Sequence, residues 1–201
     1  MRLTPCSARN WRWVLSWIAI FLQAACAAPG HRAVTGYIGA YTDNSLPEEI
    51  LPLKSVQLEP SQIFTVAYAE VFHEFSQEHG RWEWETQVAQ HFGAQPHTEF
   101  NGLLVLRWRS FPWNEYMRTS GAIGYGLSWA TEIPKLEESS HTNEGATQLL
   151  SYLLLEWTLG LPTVPDWDLV LRIHHRSGVY GTFDGVHGGS NVLGLGLKYA
   201  F

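Results

Sequence analysis

The segment Trp167–Ser177 ends in a histidine and a serine two residues apart, His175 and Ser177. If the segment is a β-strand, side chains alternate between its two faces, so these two project from the same face. An imidazole beside a hydroxyl can accept the hydroxyl proton, and this makes serine a nucleophile. The pair ends an otherwise apolar row, where polar residues are also expected simply because the row stops. The spacing is therefore compatible with two interpretations: a catalytic histidine–serine pair, or polar residues that mark the end of the apolar row.

A strand must position this pair, and the C-terminus shows which kind of sheet is present. From Leu193 to Phe201, leucines and aromatic residues alternate with glycine, lysine and alanine. A period of two places the apolar residues on one face, and terminal aromatic residues suit the zone where a membrane meets water. This ending is typical of an outer-membrane β-barrel.

The rest of the chain divides into alternating segments of about ten residues, the length of a transmembrane strand. Closing an even number of strands into a barrel removes the edges that lipid cannot satisfy. The sequence thus predicts an all-β fold, an eight-stranded antiparallel transmembrane β-barrel of the outer-membrane type. The predicted strands are Val34–Thr42, Gln62–Phe75, Arg81–Phe92, Glu99–Ser110, Tyr116–Glu132, Leu149–Gly160, Trp167–Ser177 and Asn191–Phe201.

The connections predict the orientation. Those on one side are short and turn-like, as expected for periplasmic turns, and most of those on the other side are long, as expected for extracellular loops. The predicted extracellular connections are Asp43–Ser61, Gly93–Thr98, Ile133–Gln148 and Gly178–Ser190. We expect Ile133–Gln148 to be exposed outside the cell.

A barrel of eight strands has no room for a water channel, so polar side chains must fill its lumen. Buried charges need partners, and strand parity predicts a paired network inside the barrel. Its predicted members are Glu70, Glu83, Glu85, Glu156, Arg107, Arg109, Arg172 and Lys198, with His73, His91 and His174 as interior histidines. The spacing of these histidines along the chain does not suggest a metal site, and we expect neither a metal nor a cofactor.

The first 27 residues resemble a signal peptide, which leaves residues 28–201 as the barrel domain. Three arginines precede an apolar stretch, and Ala25, Cys26 and Ala27 form a small-residue cleavage site. A lipoprotein anchored through Cys26 is the alternative, although Gln23 stands where an aliphatic residue is preferred. Without the leader, 10 basic and 19 acidic side chains remain. This acidic balance argues against nucleic-acid binding. The leader predicts export from the cytoplasm, and together with the barrel pattern it predicts a location in the bacterial outer membrane.

At His175, Arg176 and Ser177 the chain resembles the outer-membrane lipid A 3-O-deacylases, eight-stranded barrels with an HxS motif on the penultimate strand. The resemblance implies that Ser177 is the nucleophile and His175 its base. It also implies a site that faces the membrane and needs no metal.

At two other positions of the site the chain differs from the pattern of this family. Gly178 replaces an asparagine that would support the oxyanion, although a backbone amide near Gly178 remains available for that role in principle. The glutamate expected on the last strand is missing. Asn191 lies on the outward parity of that strand and could orient His175, while Asp184 could supply an acid from the loop. The sequence does not decide between Asn191 and Asp184 as the residue that orients His175.

The sequence therefore predicts an outer-membrane serine esterase that removes an ester-linked acyl chain from lipid A. Expected partners are lipopolysaccharide and outer-membrane lipids, and a homodimer is left open. The alternative from another class is a non-catalytic barrel with a scaffold, adhesion or lipopolysaccharide-stabilising role. A narrow transport barrel and a soluble lipocalin-type barrel rank lower, the first because its lumen is too narrow.

Overall fold

The computed structural model describes residues 30–42, 46, 56–77, 79–140 and 146–201; the predicted leader, with both cysteines, lies outside them. Eight antiparallel strands form a closed barrel in chain order, and β8 pairs with β1. The strands are β1 (Arg32–Thr42), β2 (Ser61–Phe75), β3 (Gly80–Gly93), β4 (Thr98–Trp108), β5 (Arg118–Ala130), β6 (Leu149–Gly160), β7 (Trp167–Ser177) and β8 (Gly189–Ala200). The predicted fold class is confirmed.

The two faces of the wall differ as the alternation predicts. Outward side chains are large and apolar; Ile38 is 64% exposed and Tyr125 56%. Inward side chains are polar and buried; Arg107 is 1% exposed and Arg176 0%. An apolar exterior around a charged interior is the reverse of a water-soluble barrel, so the lipocalin-type alternative is wrong. Together with the fold, this exterior places the chain in a bacterial outer membrane.

A single short helix, α1 (Lys135–Ser140), is present in the described part of the connection between β5 and β6. Leu136 packs on a lumen cluster that includes Tyr37 and Tyr41, and Glu137 is buried. The exposure of Ile133–Gln148 outside the cell stays a prediction; within this connection, Leu136 and Glu137 turn towards the lumen and cover this end of it. Within the described residues, no helix is long and apolar enough to cross a membrane.

The periplasmic half of the lumen holds most of the predicted charge network. Arg107 binds Glu83 with Nε–Oε1 at 2.9 Å and Glu156 with Nη2–Oε1 at 2.7 Å. Arg172 reaches Glu156 at 2.5 Å and Glu85 at 2.9 Å. These charges are completely desolvated, so each depends on its partners rather than on water.

Three predicted members of this network lie elsewhere. Glu70 pairs in register with Arg32 on the outer face of the wall. A β-bulge between Val71 and His73 shifts the alternation, and His73 is exposed opposite Trp82. Arg109 follows the end of β4 and contacts Glu74 at the rim at 3.5 Å. Strict parity fails at His73 and Arg109 because it assumes an unbroken strand and a late strand end. Glu70 precedes the bulge and has the parity of the outward Phe64 and Val66, so its predicted place inside the barrel is wrong on parity itself.

Candidate active site

The candidate site lies on the outer face of the barrel at the extracellular ends of β7 and β8. The antiparallel register places His175 opposite Asn191 and Ser177 opposite Gly189. All three polar side chains have outward parity, as predicted, and His175 and Ser177 are half-buried. Hydrogen bonding between the two strands thus brings together residues 16 positions apart in the sequence.

Asn191 contacts His175 directly, with Nδ1 and Oδ1 2.7 Å apart. The amide oxygen can only accept a hydrogen bond, so the proton of a neutral imidazole resides on Nδ1. Nε2 then carries the lone pair that a general base needs. Asn191 thus contacts the ring nitrogen that the orienting member of a catalytic triad would contact, but it carries no negative charge.

Ser177 is placed next to this pair but is not bonded to it. Its Oγ accepts a hydrogen bond from the Val179 amide at 3.1 Å, and no hydrogen bond among the described residues joins it to His175. Positions two apart on a strand are separated by about 6.6 Å. In this structure the Ser177 hydroxyl is therefore directed to the loop backbone and not to His175.

Asp184 occupies a different position from Asn191. It lies at the tip of the loop between β7 and β8, is exposed and has a positive φ of 52°. In the described part of the chain its carboxylate makes no hydrogen bond to His175. Of the two residues that the sequence left open, only Asn191 touches the imidazole.

Gly178 differs from the expectation for an oxyanion donor. Its amide donates to the Gly188 carbonyl at 3.0 Å and is therefore already engaged. A Cβ atom at this position would lie 2.0 Å from the Val186 carbonyl oxygen, so the loop backbone leaves no space for any side chain. The asparagine expected from the resemblance cannot be accommodated by this loop, and the expected role for the Gly178 amide is not supported.

An apolar groove of about 440 Å³ runs along the outer wall nearer the periplasmic end. It lies between β1 and β8 and is lined by residues such as Ile38, Phe64, Leu195 and Leu197. Leu195 is four residues from Asn191, which is about 13 Å along the strand.

A second polar cluster, which sequence reasoning missed, lies inside the barrel at the same end. His91, His97 and Glu99 offer ligand atoms that all lie within 4.8 Å of one another. His91 was predicted only as a network member, and His97 was placed in a loop. The cluster could have been predicted from the short turn between β3 and β4, because a hairpin with this turn brings residues 91 and 97 side by side.

No family model matches the chain, and no curated protein does. Two solved structures show the same fold. The outer-membrane enzyme PagL superposes with a TM-score of 0.54 at 13% identity, covering 84% of this chain and 99% of that protein. Neisserial surface protein A superposes with a TM-score of 0.52 at 10% identity, covering 87% of this chain and all of that protein. The chain is similar to both eight-stranded outer-membrane barrels, one an enzyme and one a surface protein.

Proposed function

We propose that the protein is an outer-membrane serine esterase that removes an ester-linked acyl chain from lipid A. The observation that carries the proposal is the hydrogen bond between His175 and Asn191, with Ser177 next to them on the lipid-facing wall. A base held in a fixed tautomer beside a hydroxyl is the minimal arrangement for acyl transfer.

In the first half of the reaction, Ser177 Oγ attacks the ester carbonyl while His175 Nε2 takes its proton. The bond between the carbonyl carbon and the sugar oxygen then breaks, and the imidazolium returns the proton to the leaving sugar alcohol. Asn191 keeps the Nδ1 proton of His175 in place throughout. Water attacks the acyl-serine in the second half, with His175 again as base, which releases the fatty acid and restores Ser177.

The location of the site supports lipid A as the substrate. The site lies at the level of the outer leaflet, because β7 runs from a short periplasmic turn to a long extracellular loop. Lipid A presents its ester bonds at this depth. The apolar wall and its groove below the site can receive the acyl chain without a deep pocket.

The test is mass spectrometry of lipid A from cells that express the protein or its variants. Ser177→Ala and His175→Ala should each abolish the loss of an acyl chain, and both should remain folded barrels. Ser151→Ala is the matched control. This serine lies opposite Ser177 on β6, and its hydroxyl donates to the Ser177 carbonyl oxygen at 2.7 Å, so it is not available for nucleophilic attack. Deacylation that persists in Ser177→Ala would refute the proposal.

The second candidate is a non-catalytic barrel with a scaffold, adhesion or lipopolysaccharide-stabilising role. The observation that favours it is the hydrogen bond from the Val179 amide to Ser177 Oγ, which is also what a serine that only caps a loop would make. This candidate predicts unchanged lipid A in every strain. It also predicts that Ser177→Ala alters loop stability and nothing else.

A further inference from the structure

The cluster of His91, His97 and Glu99 lies in the lumen where β3 turns into β4. All three side chains are at most 5% exposed. The His91 amide donates to the His97 carbonyl at 2.8 Å, and the two imidazoles stack with centroids 4.0 Å apart. The hairpin therefore holds both rings against Glu99, on the side of the wall opposite to the candidate active site.

The separations between the polar atoms fit the ligands of one small ion. Glu99 Oε1 is 2.9 Å from His91 Nε2 and 3.3 Å from His97 Nε2. Two ligands of tetrahedral zinc, each at about 2.0–2.1 Å, lie about 3.3 Å apart. The two separations from Glu99 are close to this value, and the ligand atoms of the two histidines lie within 4.8 Å of each other.

The hydrogen bonding of His97 determines which nitrogen faces Glu99. Its Nδ1 lies 2.8 Å from the Gln95 carbonyl oxygen, which can only accept, so the proton of the neutral ring is on Nδ1. In the neutral ring Nε2 then directs a lone pair at Glu99 Oε1, so that either a second proton on the ring or a metal ion must join the two acceptors. A ligating histidine is oriented in this way, with its other nitrogen bonded to a backbone carbonyl.

His91 provides a second observation. Its Nδ1 makes no hydrogen bond among the described residues, and its Nε2 lies 2.9 Å from Glu99 Oε1 without the angle of a regular hydrogen bond, although the side chain is only 3% exposed. A buried polar group without a partner is costly, and such groups in folded proteins usually have an explanation. An ion bound between His91 Nε2 and Glu99 Oε1 would be such a partner for Nε2.

Glu99 is held for this role by its other oxygen. His174 Nε2 lies 2.9 Å from Oε2, and His174 Nδ1 lies 3.0 Å from the Tyr37 hydroxyl. These contacts fix the carboxylate and leave Oε1 towards the two histidines. Arg176 is 3.7 Å from Oε1, but its closer partner is Glu137 at 2.8 Å. Two carboxylates face one arginine here, so Arg176 alone does not neutralise the negative charge around Glu99.

We propose that His91 Nε2, His97 Nε2 and Glu99 Oε1 bind a divalent transition-metal ion, with zinc as the best match. Two imidazoles and one carboxylate suit zinc better than magnesium or calcium, which prefer oxygen ligands alone. The ion fastens β3 to β4 beneath the extracellular mouth and stabilises the closed lumen. The site lies inside the barrel and does not depend on the proposed esterase activity.

The experiment is calorimetric titration of zinc chloride into the refolded, metal-free, untagged barrel in detergent. We expect one site per chain that is lost in His91→Gln and in His97→Gln and retained in His73→Gln, a control with an exposed histidine. His174→Gln should weaken zinc binding about tenfold to a hundredfold, because His174 is the partner that holds the ligand Glu99 through its other oxygen. Excess zinc should raise the unfolding temperature of the parent and not that of His97→Gln.

Two results would overturn the proposal. One is the absence of stoichiometric zinc binding to the parent. The other is unchanged affinity in both ligand variants. If either variant fails to refold, as judged by its heat-dependent gel mobility, X-ray absorption at the zinc edge of the parent decides instead. Two imidazole nitrogens with oxygen support the site, and any other ligand set refutes it.

Discussion

Removal of the Glu156 charge should destabilise the barrel more than removal of any one of its cationic partners. Glu156 contacts Arg107 at 2.7 Å, Arg172 at 2.5 Å and Lys198 at 2.5 Å. In Glu156→Gln three buried cations face one another without the carboxylate between them. Arg107→Met, by contrast, leaves Glu83 paired with Arg81 and leaves Glu156 with its two other cations.

Breaking a buried ion pair typically costs about 3–5 kcal/mol. We therefore expect about 5 kcal/mol for Glu156→Gln and about 3 kcal/mol for Arg107→Met. The parity argument alone gave Arg107 and Arg109 equal weight. The structure separates them, because the Arg109 side chain is 37% exposed and its contact with Glu74 is 3.5 Å long. Arg109→Ala should cost less than about 1 kcal/mol.

The assay is urea unfolding of the refolded barrel in lipid vesicles, followed by tryptophan fluorescence. The heat-dependent shift in gel mobility reports independently whether the barrel is closed. Folding yield at low urea shows whether a variant reaches the native state at all. If Arg107→Met costs as much as Glu156→Gln, the reasoning from shared partners is refuted.

Three further predictions concern the outer face and the loops. Asn191→Ala should lower the rate of deacylation by about 10²-fold, because an imidazole that is not held in position loses about that much rate, whereas Asp184→Ala should have little effect. Asn191→Asp should raise the rate. Equal losses in the two alanine variants would contradict the assignment of Asn191. Gly178→Asn should destabilise the barrel by about 1–3 kcal/mol through overpacking of the loop, and an unchanged urea midpoint would show that the loop can move aside. In the leader-free chain, which has no cysteine, Thr182→Cys should react with an impermeant maleimide on intact cells and Val164→Cys should not; the reverse pattern would mean that the barrel is inverted.

The strands were predictable because one physical requirement dominates them. Lipid outside and packed charges inside impose an uninterrupted period of two, and β6 and β7 begin and end at the predicted residues. The error at His73 occurred where another effect overrides this period. The bulge after Val71 moved His73 outward. Glu70 has the parity of the outward Phe64 and Val66, so its face was readable from β2, and only its partner Arg32 depends on the register with β1.

The candidate active site was predictable as far as strand parity extends. Parity places His175, Ser177 and Asn191 on one face, but only the register of β7 against β8 brings Asn191 into contact with His175. The engaged amide of Gly178 could not be predicted, because it depends on the path of the loop that returns at Gly188. The cluster around Glu99 was missed because its residues belong to two strands and a turn.

His174 and His175 are adjacent in the sequence, but strand alternation places them on opposite faces of the barrel wall with different partners. His174 faces the lumen and bonds to Glu99, while His175 faces outward and bonds to Asn191. Because the wall separates them, the two proposals can fail independently. His174→Gln should weaken zinc binding and leave lipid A deacylation intact, whereas His175→Gln should do the opposite. If each substitution impaired both zinc binding and deacylation, the two histidines would act through one shared change in β7. The variants would then report on the end of that strand and not on two separate sites.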